Sequence, residues 1–139
     1  MITAAALEEQ EAAFAHAFRA SDVSLARQLY DPAVVYVSPT VRLFDWPRHI
    51  EGVERTLEFI ALTIRRCEDI RYEAVACAIA PDGRTAFVIV HFDWTSAGRR
   101  LRSRYVVVYH YRDGRIARQE VCYDPSAAPE VLEGGGCSG

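Results

Sequence analysis

Four consecutive strand-like runs fill the second half of the chain, and they constrain its fold more than any other feature. The runs read RYEAVACAIA, TAFVIVHFDWTS, RRLRSRYVVVYHY and RIARQEVCYD, and all are rich in β-branched and aromatic residues. The turn signals between them are Pro81-Asp82-Gly83, Ala97-Gly98 and Asp113-Gly114. Because turns this short join antiparallel neighbours, whereas parallel strands need long crossovers, we expect a four-stranded antiparallel meander.

The first half of the chain carries helical patterns around one further strand. Residues 3–20 favour a helix with Leu7, Phe14 and Phe18 on one face. Ser21 and Asp22 are good N-caps for a short second helix, and the strand AVVYVSP follows it. A third helix begins after Gly52, and its apolar side comprises Val53, Leu57, Ile60 and Ile64. Helices followed by a meander predict the α+β class.

Length and composition predict one folded domain. The 139 residues suit a single domain, which we place at residues 1–133, with a flexible glycine-rich tail at 134–139. Half of the residues are hydrophobic and a quarter are charged, as expected of a globular protein.

Charge and cysteine spacing exclude several classes of function. The net charge of -3 argues against a nucleic-acid surface and against a polybasic membrane patch, since both need a positive field. The cysteines at 67, 77, 122 and 137 lack metal-ligand spacing, so we expect reduced thiols and no metal. The N-terminal residues lack the pattern of a signal peptide, which predicts a cytoplasmic protein. The chain has no Gly-rich phosphate loop, and no cofactor is expected.

Three local patterns, taken in their order, resemble the nuclear transport factor 2-like superfamily in its SnoaL-like, ketosteroid isomerase-like branch. The family's opening resembles AFRASDVSLARQLYDPAVVYVSP, its Gly-led third helix resembles HIEGVERTLEFI, and its closing hairpin resembles YHYRDGRIARQEVCYD. The resemblance implies a cone-shaped, curved antiparallel sheet wrapped around three helices from the N-terminal half. It also implies an apolar pocket on the concave face of the sheet and a dimeric assembly.

Turn geometry predicts which side chains of the meander share a face, because side chains alternate along a strand. A two-residue Ala-Gly loop pairs Asp93 with Arg102, and a three-residue Arg-Asp-Gly loop pairs Tyr105 with Val121. The inward face then comprises Val88, Val90, Phe92, Trp94, Ser103, Tyr105, Val107, Tyr109, Gln119, Val121 and Tyr123. An apolar, aromatic face with a few polar tips is typical of a small-molecule site and also of a plain core.

The opposite face predicts a homodimer interface. Its apolar centre comprises Phe87, Ile89, Val106, Val108 and Ile116. Its charged edge comprises His91, Asp93, Arg102, Arg104, Arg118 and Glu120. An apolar centre with a charged rim is typical of an interface, and Asp93 and Arg102 form a cross-strand ion pair in this arrangement.

The catalytic positions known for the family carry other residue types here. The resemblance to ketosteroid isomerases implies a helix tyrosine, an aspartate base and a protonated aspartic acid at positions that hold Phe14, Ser38 and Val107. The closing-strand aspartate of limonene epoxide hydrolase-like members falls on Val121. Phe14 and Val107 cannot donate to an oxyanion, and Ser38 is no base near neutral pH. Steroid isomerisation by that mechanism is therefore not expected.

Two histidines and an aspartate are candidates for acid–base catalysis. A one-residue slip, or a bulge near Pro81-Gly83, would turn His91 and Asp93 inward, where Arg104 would complete a group similar to those of SnoaL-like cyclases and dehydratases. The alternative is the outward ion pair. His49, near Trp46 at the expected pocket mouth, is a candidate gate or general base, and its alternative role is structural or merely exposed.

Three functions are compatible with the sequence. The first is a protein that binds a small hydrophobic molecule, the second is a cyclase, dehydratase or isomerase, and the third is a dimeric interaction domain with a packed interior. For the first, the candidate ligand-binding residues are Phe14, Phe18, Tyr36, Ser38, Trp94, Ser103, Tyr105, Tyr109, Gln119 and Tyr123.

Overall fold

Helices pack on one face of a mixed β-sheet in the computed structural model, which describes residues 1–40, 44–124 and 126–132. The helices are α1 (Ala4–Ala20), a 3-10 helix (Val23–Leu29) and α2 (Val53–Arg66). The strands are β1 (Tyr30–Val37), β2 (His49–Glu51), β3 (Glu68–Ile79), β4 (Thr85–Ser96), β5 (Arg99–Arg112), β6 (Arg115–Cys122) and β7 (Glu130–Val131). The predicted α+β class and the three helices from the N-terminal half are confirmed. We call the sheet face on which the helices pack the inner face and the opposite one the outer face.

Local capping explains where the first helices begin and end. Thr3 accepts a hydrogen bond from the amide of Ala6 at 3.1 Å, which satisfies a free donor of the first turn of α1. Ser21 ends α1 in a left-handed conformation with φ of 53°, so it is the C-cap of the first helix and not the N-cap of the second. Asp22 is that N-cap, as predicted, and accepts from the amide of Ser24 at 3.0 Å.

The strand order is β2-β1-β6-β5-β4-β3, with β7 pairing onto β5. The four-stranded meander β3 to β6 is antiparallel, as predicted. The sheet as a whole is mixed, because β1 pairs with β6 in parallel. A parallel pair needs a long connection, and most of the chain lies between these two strands. The short strands β2 and β7 were not predicted, since two or three residues carry little periodic signal.

The hairpin of β4 and β5 has the predicted register. Asp93 pairs with Arg102, and Phe92 pairs with Ser103. The two turn residues between the strands are left-handed, with φ of 51° and 77°. This geometry matches the twist of the flanking strands, which explains why the short Ala-Gly turn set the register correctly.

The predicted register of β5 and β6 is wrong by two residues. Val121 pairs with Val107 instead of Tyr105, because the two-residue loop of Asp113 and Gly114 shifts the pairing by one residue and a bulge in β6 shifts it by one more. Beyond the bulge, a shift of two residues keeps the side chains from Arg118 to Cys122 on their predicted faces, since the side-chain period is two.

The position of Ile116 was also predicted incorrectly, because the pairing of β5 and β6 contains a bulge. Ile116 pairs with Tyr111, whereas Arg118 pairs with the preceding His110, so Ala117 is an extra residue in β6. This bulge turns Ile116 inward, and it is fully buried instead of lying on the outer face.

Three of the four cysteines lie in the described part of the chain, where Cys67, Cys77 and Cys122 are free thiols. Cys137 and the predicted tail at 134–139 lie outside the described residues. Among the described helices, none is long and apolar enough to cross a membrane.

Candidate functional site

A partly open cavity of about 170 Å³ lies between the inner face of the sheet and α2, and we call it the aromatic pocket. Its described lining comprises Phe18, Tyr36, Ser38, Thr40, Phe44, Phe59, Ile60, Thr63, Cys67, Phe92, Trp94, Ser103, Tyr105, Val121 and Tyr123. Aromatic rings and hydroxyl groups dominate this lining. Such a composition suits an organic molecule with a large apolar surface and few polar atoms.

Strand and helix periodicity place the side chains of the lining. Phe92 and Trp94 on β4, like Ser103 and Tyr105 on β5, are two residues apart and therefore face the same side of the sheet. The facing wall comes from α2, where Phe59 and residue 63 are one turn apart.

Phe59 organises the wall on the helix side. Its ring centroid lies 5.7 Å from that of Tyr36, 5.8 Å from that of Phe44 and 5.4 Å from that of Trp46. The Phe59 side chain is almost fully buried. Aromatic pairs at these separations contribute stability in addition to that from burying their apolar surface, so contacts between rings stabilise this wall.

Phe92 organises the wall on the sheet side in the same way. Its centroid lies 5.4 Å from that of Phe18, 5.9 Å from that of Trp94 and 6.4 Å from that of Tyr105. Phe18 belongs to α1, so the helix closes the pocket beside the sheet. The two aromatic walls therefore face each other across the cavity.

Hydroxyl groups form one polar edge of the aromatic pocket. The hydroxyl groups of Thr40 and Tyr123 share a hydrogen bond, which links the segment after β1 to the end of β6. Ser38 Oγ accepts from the amide of Thr40 at 3.1 Å. Burial raises the pKa of Tyr36 well above its ordinary value, although a hydrogen bond with Ser38 partly opposes the rise. The tyrosines of this edge are therefore neutral near neutral pH.

Seven of the ten candidate ligand-binding residues line the aromatic pocket, namely Phe18, Tyr36, Ser38, Trp94, Ser103, Tyr105 and Tyr123. The other three candidates, Phe14, Tyr109 and Gln119, are buried beside the pocket and do not line it. A role in binding stays a prediction for all ten, because no ligand is present.

Phe14 fills the core between α1 and the sheet. Its ring centroid lies 6.0 Å from that of Tyr30, 6.2 Å from that of Tyr72 and 6.3 Å from that of Tyr109. Gln119 accepts a hydrogen bond from the hydroxyl of Tyr30 at 2.6 Å. These side chains pack on one another behind the pocket, and the buried hydroxyl of Tyr109 has no hydrogen-bond partner within the described residues.

His91 and Asp93 do not line the aromatic pocket. Arg102 donates to both carboxylate oxygens of Asp93 at 2.7 and 3.0 Å, and only 6% of the Asp93 side chain is exposed. Burial alone raises the pKa of Asp93, but the hydrogen bonds and charge of Arg102, with the charges of Arg100 and Arg71, bring it below its usual value. The observed arrangement is the outward ion pair. A catalytic role for His91 and Asp93 stays a prediction that this geometry does not support.

His49 lies in β2, where it pairs with Val37 of β1. Its side chain is exposed and is not part of the described pocket lining. The suggested role as gate or general base therefore also stays a prediction.

One buried carboxyl group was missed by the sequence analysis. Glu11 on α1 is only 5% exposed. It accepts from the hydroxyl of Tyr72 at 2.5 Å and from Nε2 of Gln10 at 2.9 Å, and Tyr111 donates to Gln10 at 2.8 Å. Burial raises the pKa of Glu11, and these hydrogen bonds only partly oppose the rise.

The spacing of α1 contained a signal for this buried acid. Glu11 lies four residues after Leu7 and three before Phe14, so it shares their face of the helix.

Pocket residues on α2 were missed for a different reason. The predicted apolar side of that helix omitted Phe59, which is more deeply buried than Ile64.

The described residues contain no cluster of His, Cys, Asp and Glu that could hold a metal ion.

No curated protein sequence matches the chain significantly. Solved structures do match, at sequence identities that are low enough to support similarity of the fold only. A protein of ketosteroid isomerase-like fold from Catenulispora acidiphila is 16% identical, with a TM-score of 0.70 over 85% of this chain and 87% of that one.

Two further structures show the same architecture. A SnoaL-like protein of unknown function from Burkholderia thailandensis is 20% identical, with a TM-score of 0.68 over 89% of this chain and 99% of that one. The protein TerC is 21% identical, with a TM-score of 0.71 over 86% and 92% of the two chains. The sequence model of the SnoaL-like domain matches residues 11–119, most of the chain. The protein therefore belongs to the SnoaL-like family, with the ketosteroid isomerase-like fold of the nuclear transport factor 2-like superfamily.

Proposed function

We propose that the protein binds a small, mostly apolar organic molecule in the aromatic pocket. The observation that carries this proposal is the cavity of about 170 Å³ between two walls of aromatic side chains, with hydroxyl groups along one edge. A well-packed core leaves few voids larger than a water molecule, so an interior of this kind differs from that of a purely structural domain.

Two proteins of similar fold support the proposal by analogy. The Catenulispora acidiphila protein was crystallised in complex with trimethylamine, and TerC was crystallised with polyporic acid. Both ligands are small organic molecules. An activity as a cyclase, dehydratase or isomerase has less support, because no His, Asp or Glu is among the described residues of the lining.

A pair of valine variants tests the proposal. Val121 lines the aromatic pocket, so Val121→Phe adds a ring inside it. Val106 lies on the outer face and is 37% exposed, so Val106→Phe adds the same ring away from the cavity. Ligand-observed NMR with a set of small aromatic fragments measures binding. We expect fragments to bind the wild-type protein and Val106→Phe but not Val121→Phe. Equal binding by both variants, or no binding by the wild-type protein, contradicts the proposal.

We also propose that the outer face forms a homodimer. Four of its apolar side chains are well exposed: Val75 at 44%, Phe87 at 41%, Ile89 at 44% and Val106 at 37%. They lie on the three neighbouring strands β3, β4 and β5, and the edge carries charges of both signs. Such a patch suits contact with a second copy of the protein. In a dimer with two-fold symmetry the same face of both subunits forms the interface, so the positive charges at the edge of one copy can meet the negative charges at the edge of the other.

A cytoplasmic location is our further proposal. Cys67, Cys77 and Cys122 are free thiols, as expected of a reducing compartment. Alkylation of the protein in intact cells followed by mass spectrometry should label these three thiols. Protection of any of them by oxidation contradicts the proposed compartment.

A further inference from the structure

The volume of the aromatic pocket limits the size of its ligand. An apolar cavity of roughly 150 Å³ accommodates one benzene molecule, whereas pockets for drug-sized ligands measure about 300–1,000 Å³. The cavity here measures about 170 Å³. The cavity therefore has room for one six-membered ring, and a fused system of several rings would extend out of it.

The charge of the lining limits the ionisation state of the ligand. No Asp, Glu, Arg or His is among the described residues that line the pocket. Burial raises the pKa of Tyr36 and of Tyr105, so both phenols stay protonated near neutral pH. Among the described lining residues, an ion would meet no opposite charge to offset the loss of its hydration. Contact of a cation with aromatic faces offsets only part of that loss, so a neutral ligand is favoured.

The hydroxyl group of Tyr105 is available to a ligand in the lining of the pocket. Thr40 and Tyr123 share a hydrogen bond, and Thr63 donates its hydroxyl to the carbonyl of Phe59 at 3.2 Å. For Tyr105, the structure records no side-chain hydrogen bond within its described residues. The Tyr105 ring packs between those of Phe92 and Tyr123, at centroid distances of 6.4 and 6.1 Å. Its hydroxyl can therefore donate to, or accept from, a polar substituent on a bound ring.

We propose that the aromatic pocket selects a neutral molecule built on a single aromatic ring with one hydrogen-bonding substituent, and that Tyr105 contacts this substituent. A phenol is the simplest member of the class. The inference rests on the proposed binding function and adds to it the size, the charge state and the polar contact of the ligand.

A titration of bound 4-nitrophenol tests the charge state. The phenolate form absorbs visible light and the neutral phenol does not, so absorbance reports the ionisation of the bound molecule. Because the lining offers no cation among its described residues, the bound phenol should ionise at a higher pH than the free phenol. The same protein is titrated with phenol, toluene, 2-naphthol and benzyltrimethylammonium, and binding is followed by ligand-observed NMR.

Matched tyrosine variants test the polar contact. Tyr105→Phe removes only the proposed partner and should weaken phenol binding by about three- to tenfold, the value of a typical hydrogen bond, while toluene binding is unchanged. Tyr111→Phe is the control, because that hydroxyl donates to Gln10 away from the pocket. It should bind both probes like the wild-type protein.

The outcomes separate this inference from the proposed function. If neither toluene nor any phenol binds, the proposed function is wrong. If 4-nitrophenol binds but ionises at a lower pH than in solution, or if the two-ring or cationic probe binds more tightly than phenol, the pocket is a ligand site and the proposed ligand class is wrong. Equal phenol affinity of Tyr105→Phe and the wild-type protein overturns the role of Tyr105.

Discussion

Tyr72 donates its hydroxyl hydrogen to Oε1 of Glu11 at 2.5 Å and thereby joins β3 to α1 inside the protein. Both side chains are buried, and Gln10 supplies a second donor to the same carboxyl group at 2.9 Å. A buried polar group is costly unless its hydrogen bonds are made, so these two contacts offset the burial of the Glu11 carboxyl group between the helix and the sheet.

Removal of the Tyr72 hydroxyl should destabilise the fold. Tyr72→Phe leaves a buried carboxyl oxygen without its donor, and we expect a loss of about 1–3 kcal/mol in the free energy of unfolding. Urea denaturation followed by circular dichroism measures the loss. Tyr105→Phe is the matched control, because its hydroxyl has no recorded partner among the described side chains. Equal stability of the two variants would show that the contact with Glu11 contributes nothing.

Glu11 should make the stability depend on pH with a defined sign. Burial raises the pKa of Glu11 above the ordinary value of 4.5, so the folded state binds the proton more tightly than the unfolded state. Its contribution is therefore complete below 4.5 and is lost as the pH rises through the raised value. Compared with Glu11→Gln, the wild-type protein should lose stability progressively from that pH towards neutrality. Parallel stability profiles of the two proteins, measured by urea denaturation, would contradict this.

The ion pair of Asp93 and Arg102 should contribute more than an exposed pair. Their side chains are 6% and 21% exposed and share two hydrogen bonds, whereas those of Glu130 and Arg104 are 47% and 57% exposed. A double-mutant cycle to alanine should give a coupling of about 1–3 kcal/mol for the first pair, and about 0.5 kcal/mol or less for the second. Because the pKa of Asp93 is lowered, its contribution should be present above 3.8 and disappear as the pH falls below that value. Similar coupling energies for the two pairs would contradict the expectation that burial strengthens the pair of Asp93 and Arg102.

Val107 and Val121 are direct partners on β5 and β6, yet they should tolerate a larger side chain very differently. Val107 is buried outside the pocket lining, and overpacking there by Val107→Phe should cost about 1–3 kcal/mol. Val121 borders the aromatic pocket, where a ring can occupy open space, so Val121→Phe should change the stability by less than about 1 kcal/mol. Thermal denaturation compares the variants. A loss of stability in Val121→Phe as large as that in Val107→Phe would mean that the aromatic pocket has no room for an added ring.

Disruption of the outer face should separate the proposed dimer. Light scattering at micromolar concentration should give the wild-type protein twice the mass of one chain. Ile89→Glu buries a charge in the proposed interface and should give the mass of one chain. Val131→Glu, an equally exposed site on β7, should leave the dimer intact. A wild-type protein with the mass of one chain would rule out the interface.

Short-range rules in the sequence determined much of this fold. The caps depend on contacts within four residues, as Asp22 shows, and the Ala97-Gly98 turn set the register of its hairpin. Alternation along β4 and β5 then placed Trp94 and Tyr105 on the inner face, where both line the pocket. These features were predictable because each depends on a few neighbouring residues.

Only the tertiary structure decided the rest. The turn at Asp113-Gly114 allowed loops of two or three residues, and the choice came with a bulge that buries Ile116. The burial of Glu11 depends on Tyr72, far away in the sequence, and the pocket is lined both by Phe59 of α2 and by Phe92 of β4, which are also distant in sequence. Sequence alone thus determined which residues of β4 and β5 face inward, because that follows from a local period. Whether the interior is filled or open depends on the packing of distant elements, which no local pattern encodes.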